Sequence, residues 1–167
     1  KTAGADIFRH FCAEMQQSSG RCFFLGSSEK TLERIRLRMH REYPAITVET
    51  YSPPYKESFT TDDNLRMLEA INRFRPDVLF VGMTAPKQEK WVNQLRDSIQ
   101  AGVVCAIGAV FDFYAGTVKR PSAFWIKLKL EWFIRLVNEP RRLWKRYLIY
   151  SPLFFVDMFK YKLRLLR

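Results

Sequence analysis

Histidine, cysteine and glycine are scarce in this chain of 167 residues, with two, three and seven copies. Cys12, Cys22 and Cys105 are far apart, odd in number and without metal spacing. This excludes a disulfide framework and suits a reduced, cytosolic protein. His10 and His40 join no cysteine motif, so all five read as ordinary core or surface residues and no metal site is expected. Neither a G-x-G-x-x-G nor a P-loop pattern is present, which removes two familiar phosphate-binding routes. An Asp-x-Asp pair that would hold a divalent metal is also missing. No signal peptide is visible. The longest uncharged stretch near the end, Tyr147 to Val156, has ten residues and contains Pro152, whereas a membrane span takes about 20. The chain opens on Lys1-Thr2-Ala3-Gly4 without a Met, and a segment upstream is expected.

What is present is an apolar fraction of 47%, enough for one core of ordinary domain size, and a lopsided charge. Residues 1–118 carry 15 Lys and Arg against 14 Asp and Glu, a net of +1. Residues 119–167 carry 13 Lys and Arg against Glu131, Glu139 and Asp157, a net of +10. A near-neutral body followed by a basic segment calls for an anionic partner at the end of the chain.

The body alternates helical and strand patterns. Helices are expected over 6–17, 29–43, 60–74 and 86–98, and strands over 21–25, 46–51, 77–81 and 103–107. Ser28 suits the cap of the second helix, Thr60 with Asp63 a capping box, and Pro86 the first helical turn. Short strands apolar on both faces and separated by helices predict an α/β fold: a Rossmann-like, mostly parallel sheet covered on both sides. Ligands of such sheets bind beyond the carboxyl ends of the strands. That nominates four loops: 26–28, 51–57, 82–89 and 108–120. The pattern changes at Pro121, so the expected units are an α/β domain over 1–120 and a basic helical appendage over 121–167. Ser151-Pro152 suits a helix start. Beyond it, Asp157, Lys160, Arg164 and Arg167 share one stripe at i, i+3, i+7 and i+10, and Phe155, Val156, Met158, Phe159, Leu163 and Leu166 cover much of the rest. A basic amphipathic helix with aromatics is the form that lies in a membrane interface.

Three constellations could carry chemistry. Gly82-Met83-Thr84-Ala85-Pro86-Lys87-Gln88-Glu89-Lys90-Trp91 sits at a strand-to-helix junction, where free backbone N–H groups favour an anion. Lys87 adds positive charge, and Gln88 can both donate and accept. The plainer alternative is a helix start with solvated charges. In Gly108 to Gly116, Asp112 lies between aromatics, as a buried structural acid or a ligand-binding carboxylate. The run Glu131 to Tyr147 is dense in Arg, whose forks match phosphate. A solvated basic face and RNA binding are the competing readings there.

These stretches resemble the WecG/TagA/CpsF family of bacterial glycosyltransferases (glycosyltransferase family 26). Thr2-Ala3-Gly4-Ala5-Asp6-Ile7-Phe8 is similar to the family's T-G-x-D-L-F, and Phe24-Leu25-Gly26 follows it. Gly82 to Trp91 is like G-x-x-A-P-[KR]-Q-E-x-W. Gly108 to Gly116, with Arg120-Pro121, is like G-x-x-F-D-F-x-A-G and its R-x-P-type turn. Glu131 to Tyr147 is like E-W-x-x-R-L-x-x-E-P-R-R-x-x-R-Y.

The resemblance implies an inverting transfer of an N-acetylmannosamine-type sugar or related hexose from a UDP-sugar to an undecaprenyl-diphosphate-linked sugar. Neither a cofactor nor a metal is implied, and the setting is the synthesis of teichoic acid, capsule or exopolysaccharide. It implies substrate contacts at Thr2, Gly26, Thr84, Lys87, Gln88, Glu89, Gly108 and Asp112, and phosphate-gripping roles for Arg135, Arg142 and Arg146. The family's favoured general base, the Asp of a P-D-G motif, belongs upstream of Lys1. With Lys145, Lys160, Lys162, Arg164 and Arg167 on an anionic membrane, the protein is expected at the inner face of the cell membrane, peripherally attached. Homo-oligomerisation stays open, and nucleic acid is not the expected partner. The alternative readings are a nucleotide- and membrane-binding module without turnover, and RNA binding through the tail.

Overall fold

In a computed structural model, the described residues are 4–117, 133, 136–137, 140 and 144–165, with backbone alone at 145–147, 155 and 163–165. The chain divides into two compact units, Lys1–Lys119 and Arg120–Arg167.

The first unit is an α/β domain. Its elements are α1 (Gly4–Ser18), β1 (Arg21–Gly26), α2 (Glu29–Glu42), β2 (Thr47–Tyr51), α3 (Thr61–Phe74), β3 (Val78–Gly82), α4 (Lys87–Leu95), β4 (Val103–Ala106) and α5 (Ala109–Ala115). The four strands pair in parallel in the order β2-β1-β3-β4. From β1 the chain moves outward to β2, then returns across the sheet to β3 and β4. The direction therefore reverses between β1 and β3, where Gly26 lies in register with Gly82. Such a reversal opens a crevice at the carboxyl ends of the strands.

Alternation along the two central strands explains the layers, because successive side chains leave a strand on opposite faces. Cys22 and Phe24 of β1, with Val78 and Phe80 of β3, meet α1, α2 and α5 through Phe8, Cys12, Leu32, Ile35, Met39, Val110 and Phe111. Phe23 and Leu25, with Leu79 and Val81, meet α3 and α4 through Met67, Ile71 and Trp91. Both faces are covered, which is why these strands read as unbroken apolar runs. Burial pushes the Cys12 thiol up to about 12 and raises Cys22 as well, so both are protonated core groups.

Helix starts follow their caps. The Ser28 hydroxyl accepts from Thr31 N at 3.3 Å. At α3 the capping box is complete: Thr60 Oγ1 accepts from Asp63 N (3.2 Å) and Asp63 Oδ2 accepts from Thr60 N (2.9 Å). The Lys56 ammonium donates to the same carboxylate at 2.8 Å. That ammonium and the Thr60 donors hold the Asp63 carboxyl at about 2. A depressed carboxyl stabilises the fold above its ordinary pKa, and the contribution disappears as pH falls from about 4 towards 2. Thr60→Ala is expected to cost about 1 kcal/mol at neutral pH. Asp63→Asn is expected to flatten the acid limb of the stability curve between those pH values, read by denaturant unfolding.

Four expectations change. The segment 108–120, expected to be a site loop, folds as α5 from Ala109 to Ala115; seven residues are too few for helical periodicity to be legible. The helix after Pro86 ends at Leu95 and tightens into a 3-10 turn at Arg96–Ser98. Pro86 occupies the cap position, not the first helical residue. The α-helix expected at Ser151-Pro152 does begin there, but Ser151 is its first residue and not a cap preceding it. In the second unit a π-helical turn, Lys145–Tyr150, runs directly into α6 (Ser151–Leu165). Pro152 has no N–H to give the carbonyl four residues back, and the widened turn falls where that bond is missing.

Along α6, Leu153, Phe154, Val156, Met158, Phe159 and Tyr161 are all exposed, and so are Asp157, Lys160 and Lys162. Apolar side chains thus surround the helix, and Lys162 stands across it from Lys160. Among the described residues, no helix is long and apolar enough to cross a membrane.

Candidate active site

The rim where β1 and β3 end is built around close backbone approaches. Gly26 has φ +116°, and a Cβ there would lie 2.5 Å from the Gly82 carbonyl oxygen. Only glycine meets both conditions. A Cβ on Gly82 would fall 2.4 Å from the Phe111 ring, so α5 packs onto β3 where a side chain is missing. Gly108, which opens α5, lies against the next loop: its Cβ would be 2.9 Å from Met83 O and 2.9 Å from Gln88 Oε1. The rim loops are tied together as well, since the Ser52 hydroxyl donates to Ser27 O at 2.8 Å.

Gln88 is the unusual group of this rim. It is 6% exposed, one of two buried polar residues in the described chain. Its Nε2 donates to Glu89 Oε1 at 2.9 Å, which fixes the orientation of the amide because a carboxylate can only accept. The other end, Oε1, is buried and has no hydrogen-bond partner among the described residues. A buried carbonyl left unpaired costs about 1–3 kcal/mol. This one faces Gly108 beyond the end of β3, where ligands of this architecture sit.

The other nominated residues fall in several places. Thr84 is exposed, and its carbonyl accepts from the N–H groups of Lys87 (2.9 Å) and Gln88 (3.4 Å). Two donors expected to be free at the start of α4 are therefore occupied. The Lys87 ammonium donates to Lys56 O and stands 3.6 Å above the Phe59 ring centre. Burial lowers its pKa. Lys87 thus ties α4 to the loop before α3, and the positive charge expected beside Gln88 is engaged there. Trp91 is buried, and its indole donates to Asn64 Oδ1 at 2.9 Å, docking α4 on α3.

Asp112 is half-buried on α5, and its Oδ1 accepts from the Thr117 hydroxyl at 3.3 Å. Gly108 lies against Gln88 and Met83, Gly26 lies against Gly82 and Met83, and Asp112 is one turn beyond Gly108 in α5. Thr2, Arg135, Arg142 and Arg167 lie outside the described residues. Lys145, Arg146 and Arg164 are described by backbone only, in the π turn and α6. Arg38 is not among the residues that the sequence nominates, because its partner Tyr114 lies 76 positions away.

A parallel sheet that reverses between two glycine-ended strands and is covered by helices on both faces defines a Rossmann-like α/β protein. The model of the glycosyl transferase WecG/TagA/CpsF family matches residues 1–167, and the chain belongs to that family. It is 32% identical over 148 residues to the N-acetylglucosaminyldiphosphoundecaprenol N-acetyl-beta-D-mannosaminyltransferase of Bacillus subtilis (strain 168), covering 89% of this chain and 56% of the relative. The protein of the same name from Bacillus spizizenii is 31% identical over 89% of this chain and 55% of its own length. That of Staphylococcus aureus (strain MW2) is 27% identical over 74% and 45%. The chain spans about half the length of these relatives.

Proposed function

We propose that the protein bearing this chain is an inverting glycosyltransferase. It moves an N-acetylmannosamine-type sugar, or a related hexose, from a UDP-sugar to an acceptor sugar on undecaprenyl diphosphate. The observation that carries this reading is the unpaired, buried Gln88 carbonyl at the rim between β3 and α5. It demands an N–H or O–H donor, and both a nucleobase edge and a sugar supply one. The names of the relatives supply the acceptor chemistry.

In this mechanism the donor lies across the ends of β1 and β3, against Gly26, Gln88 and Gly108, with Asp112 accepting from its hydroxyl or N–H groups. Bond breaking puts negative charge on the departing UDP. Arg135, Arg142 and Arg146 are assigned to that charge, because fixed cations stabilise a transition state most where charge develops. A carboxylate removes the proton of the acceptor hydroxyl. The exposed apolar residues of α6, with Lys160 and Lys162, suit the inner membrane surface where a lipid-linked acceptor resides.

The test is UDP release by the full-length protein. Release from UDP-N-acetylmannosamine that depends on N-acetylglucosaminyl-diphosphoundecaprenol is expected. Silence with every UDP-hexosamine and UDP-hexose tried would sink the reading. Removal of residues 141–167 is expected to abolish co-sedimentation with anionic liposomes, and undiminished binding would refute the membrane assignment.

A further inference from the structure

At seven residues, α5 is far too short to be stable on its own, yet it carries Gly108, Phe111 and Asp112 to the rim. Its hold comes from the side. Arg38 reaches across from α2 and donates through Nη1 to the Tyr114 carbonyl at 2.9 Å. The same guanidinium lies over the Tyr114 ring, 4.4 Å from its centre. Its Nε donates to Glu42 Oε1 at 2.7 Å, and the Tyr114 hydroxyl donates to Glu42 Oε2 at 3.1 Å.

The contacts form a closed circuit: Arg38 to the α5 backbone, Tyr114 back to Glu42, and Glu42 to Arg38 one turn away. The Tyr114 ring is also backed by Phe8, with ring centres 4.8 Å apart. Burial by itself raises the Glu42 carboxyl, but the Arg38 and Tyr114 hydrogen bonds outweigh it and hold the group below its ordinary value. An ionised Glu42 keeps the circuit closed at neutral pH. One arm acts on main chain, so it constrains the path of α5 and not merely a side-chain rotamer.

We propose that Arg38, with Glu42 and Tyr114, is a positioning group of the active site: the circuit sets the tilt at which α5 presents Gly108 to Gln88 and Asp112 to the donor. Arg38 itself touches no substrate. This inference rests on the reading of the rim as the UDP-sugar site.

The experiment uses the full-length protein, UDP titration calorimetry and hydrogen exchange of the α5 amides. Arg38→Ala is expected to weaken UDP binding roughly tenfold, since small misplacements of binding groups are expensive, and to speed α5 exchange. Arg38→Lys keeps a cation beside Glu42 but lacks the fork, and is expected to behave like Arg38→Ala in affinity while retaining the thermal midpoint. The decisive readout is a double-mutant cycle with Asp112→Asn. If Arg38 acts through Asp112, the two losses do not add, whereas a merely structural role gives additive losses and overturns the proposal. Unchanged UDP affinity in Arg38→Ala, with Asp112→Asn and Gln88→Leu both impaired, removes the circuit alone. Unchanged affinity in Asp112→Asn and Gln88→Leu removes the site reading and the circuit's role together.

Discussion

Gly82→Ala is expected to be among the most damaging single substitutions in the α/β unit. The new Cβ would sit 2.4–2.5 Å from Cδ2, Cε2 and Cγ of Phe111, a separation that carbon atoms do not tolerate. Phe111 cannot swing clear. It is 2% exposed and meets Phe24 edge-on at 5.4 Å, deep among the rings beneath α5. A core this dense absorbs an added methyl only by moving a helix, at about 3 kcal/mol. For a chain of this length that is roughly 6–12 °C in thermal midpoint. Displacement of α5 would also move Gly108 away from Gln88, so UDP affinity is expected to fall with stability. Adding Phe111→Leu should return part of the lost midpoint, because it makes room for the methyl. A Gly82→Ala protein that melts within about 2 °C of the parent would show that β3 and α5 are not packed as described.

Gln88→Leu is expected to do the opposite to stability while damaging function. Leucine matches the size of glutamine but has no carbonyl to leave unpaired. The substitution removes a buried orphan acceptor worth about 1–3 kcal/mol and loses one bond to exposed Glu89 worth about 1 kcal/mol. The midpoint should therefore hold or rise. UDP-sugar affinity should fall by one to two orders of magnitude, since a ligand donor would face a methyl group. Buried polar groups kept at a cost to stability mark sites where function and folding pull apart. Lower stability with intact UDP binding would identify Gln88 as an ordinary structural amide.

Much of the fold was legible in the residues. β1 and β3 stand out because central parallel strands are apolar on both faces, and Ser28, Thr60 and Asp63 cap their helices as their types predict. α5 was not legible. Its seven residues hold too few turns to show a period, and its anchor, Arg38, belongs to a helix far away in the chain. The site was legible as a set of loops, because the carboxyl rim follows from the topology. Its inner wiring was not. Lys87 reads as a free cation beside Gln88, but the loop ahead of α3 offers its ammonium a carbonyl and an aromatic face. Gln88 reads as a polar helix-start residue, and its carbonyl's neighbour Gly108 comes from 20 positions further along the chain. Long-range contacts of this kind leave no periodic trace.

The π turn of Lys145–Tyr150 has a consequence for any helical wheel drawn through the end of the chain. Each residue of an α-helix advances the azimuth by about 100°, and a π turn holds roughly one residue more than an α turn. A wheel drawn from Trp144 onward at constant pitch is therefore out of phase from Ser151 by about a quarter-circle. Deleting one residue before Pro152 would not merely shorten the segment. It would rotate Phe154, Phe159 and Lys160 together around the helix axis, so the local winding, as much as composition, decides which way the aromatic and cationic groups of this tail point.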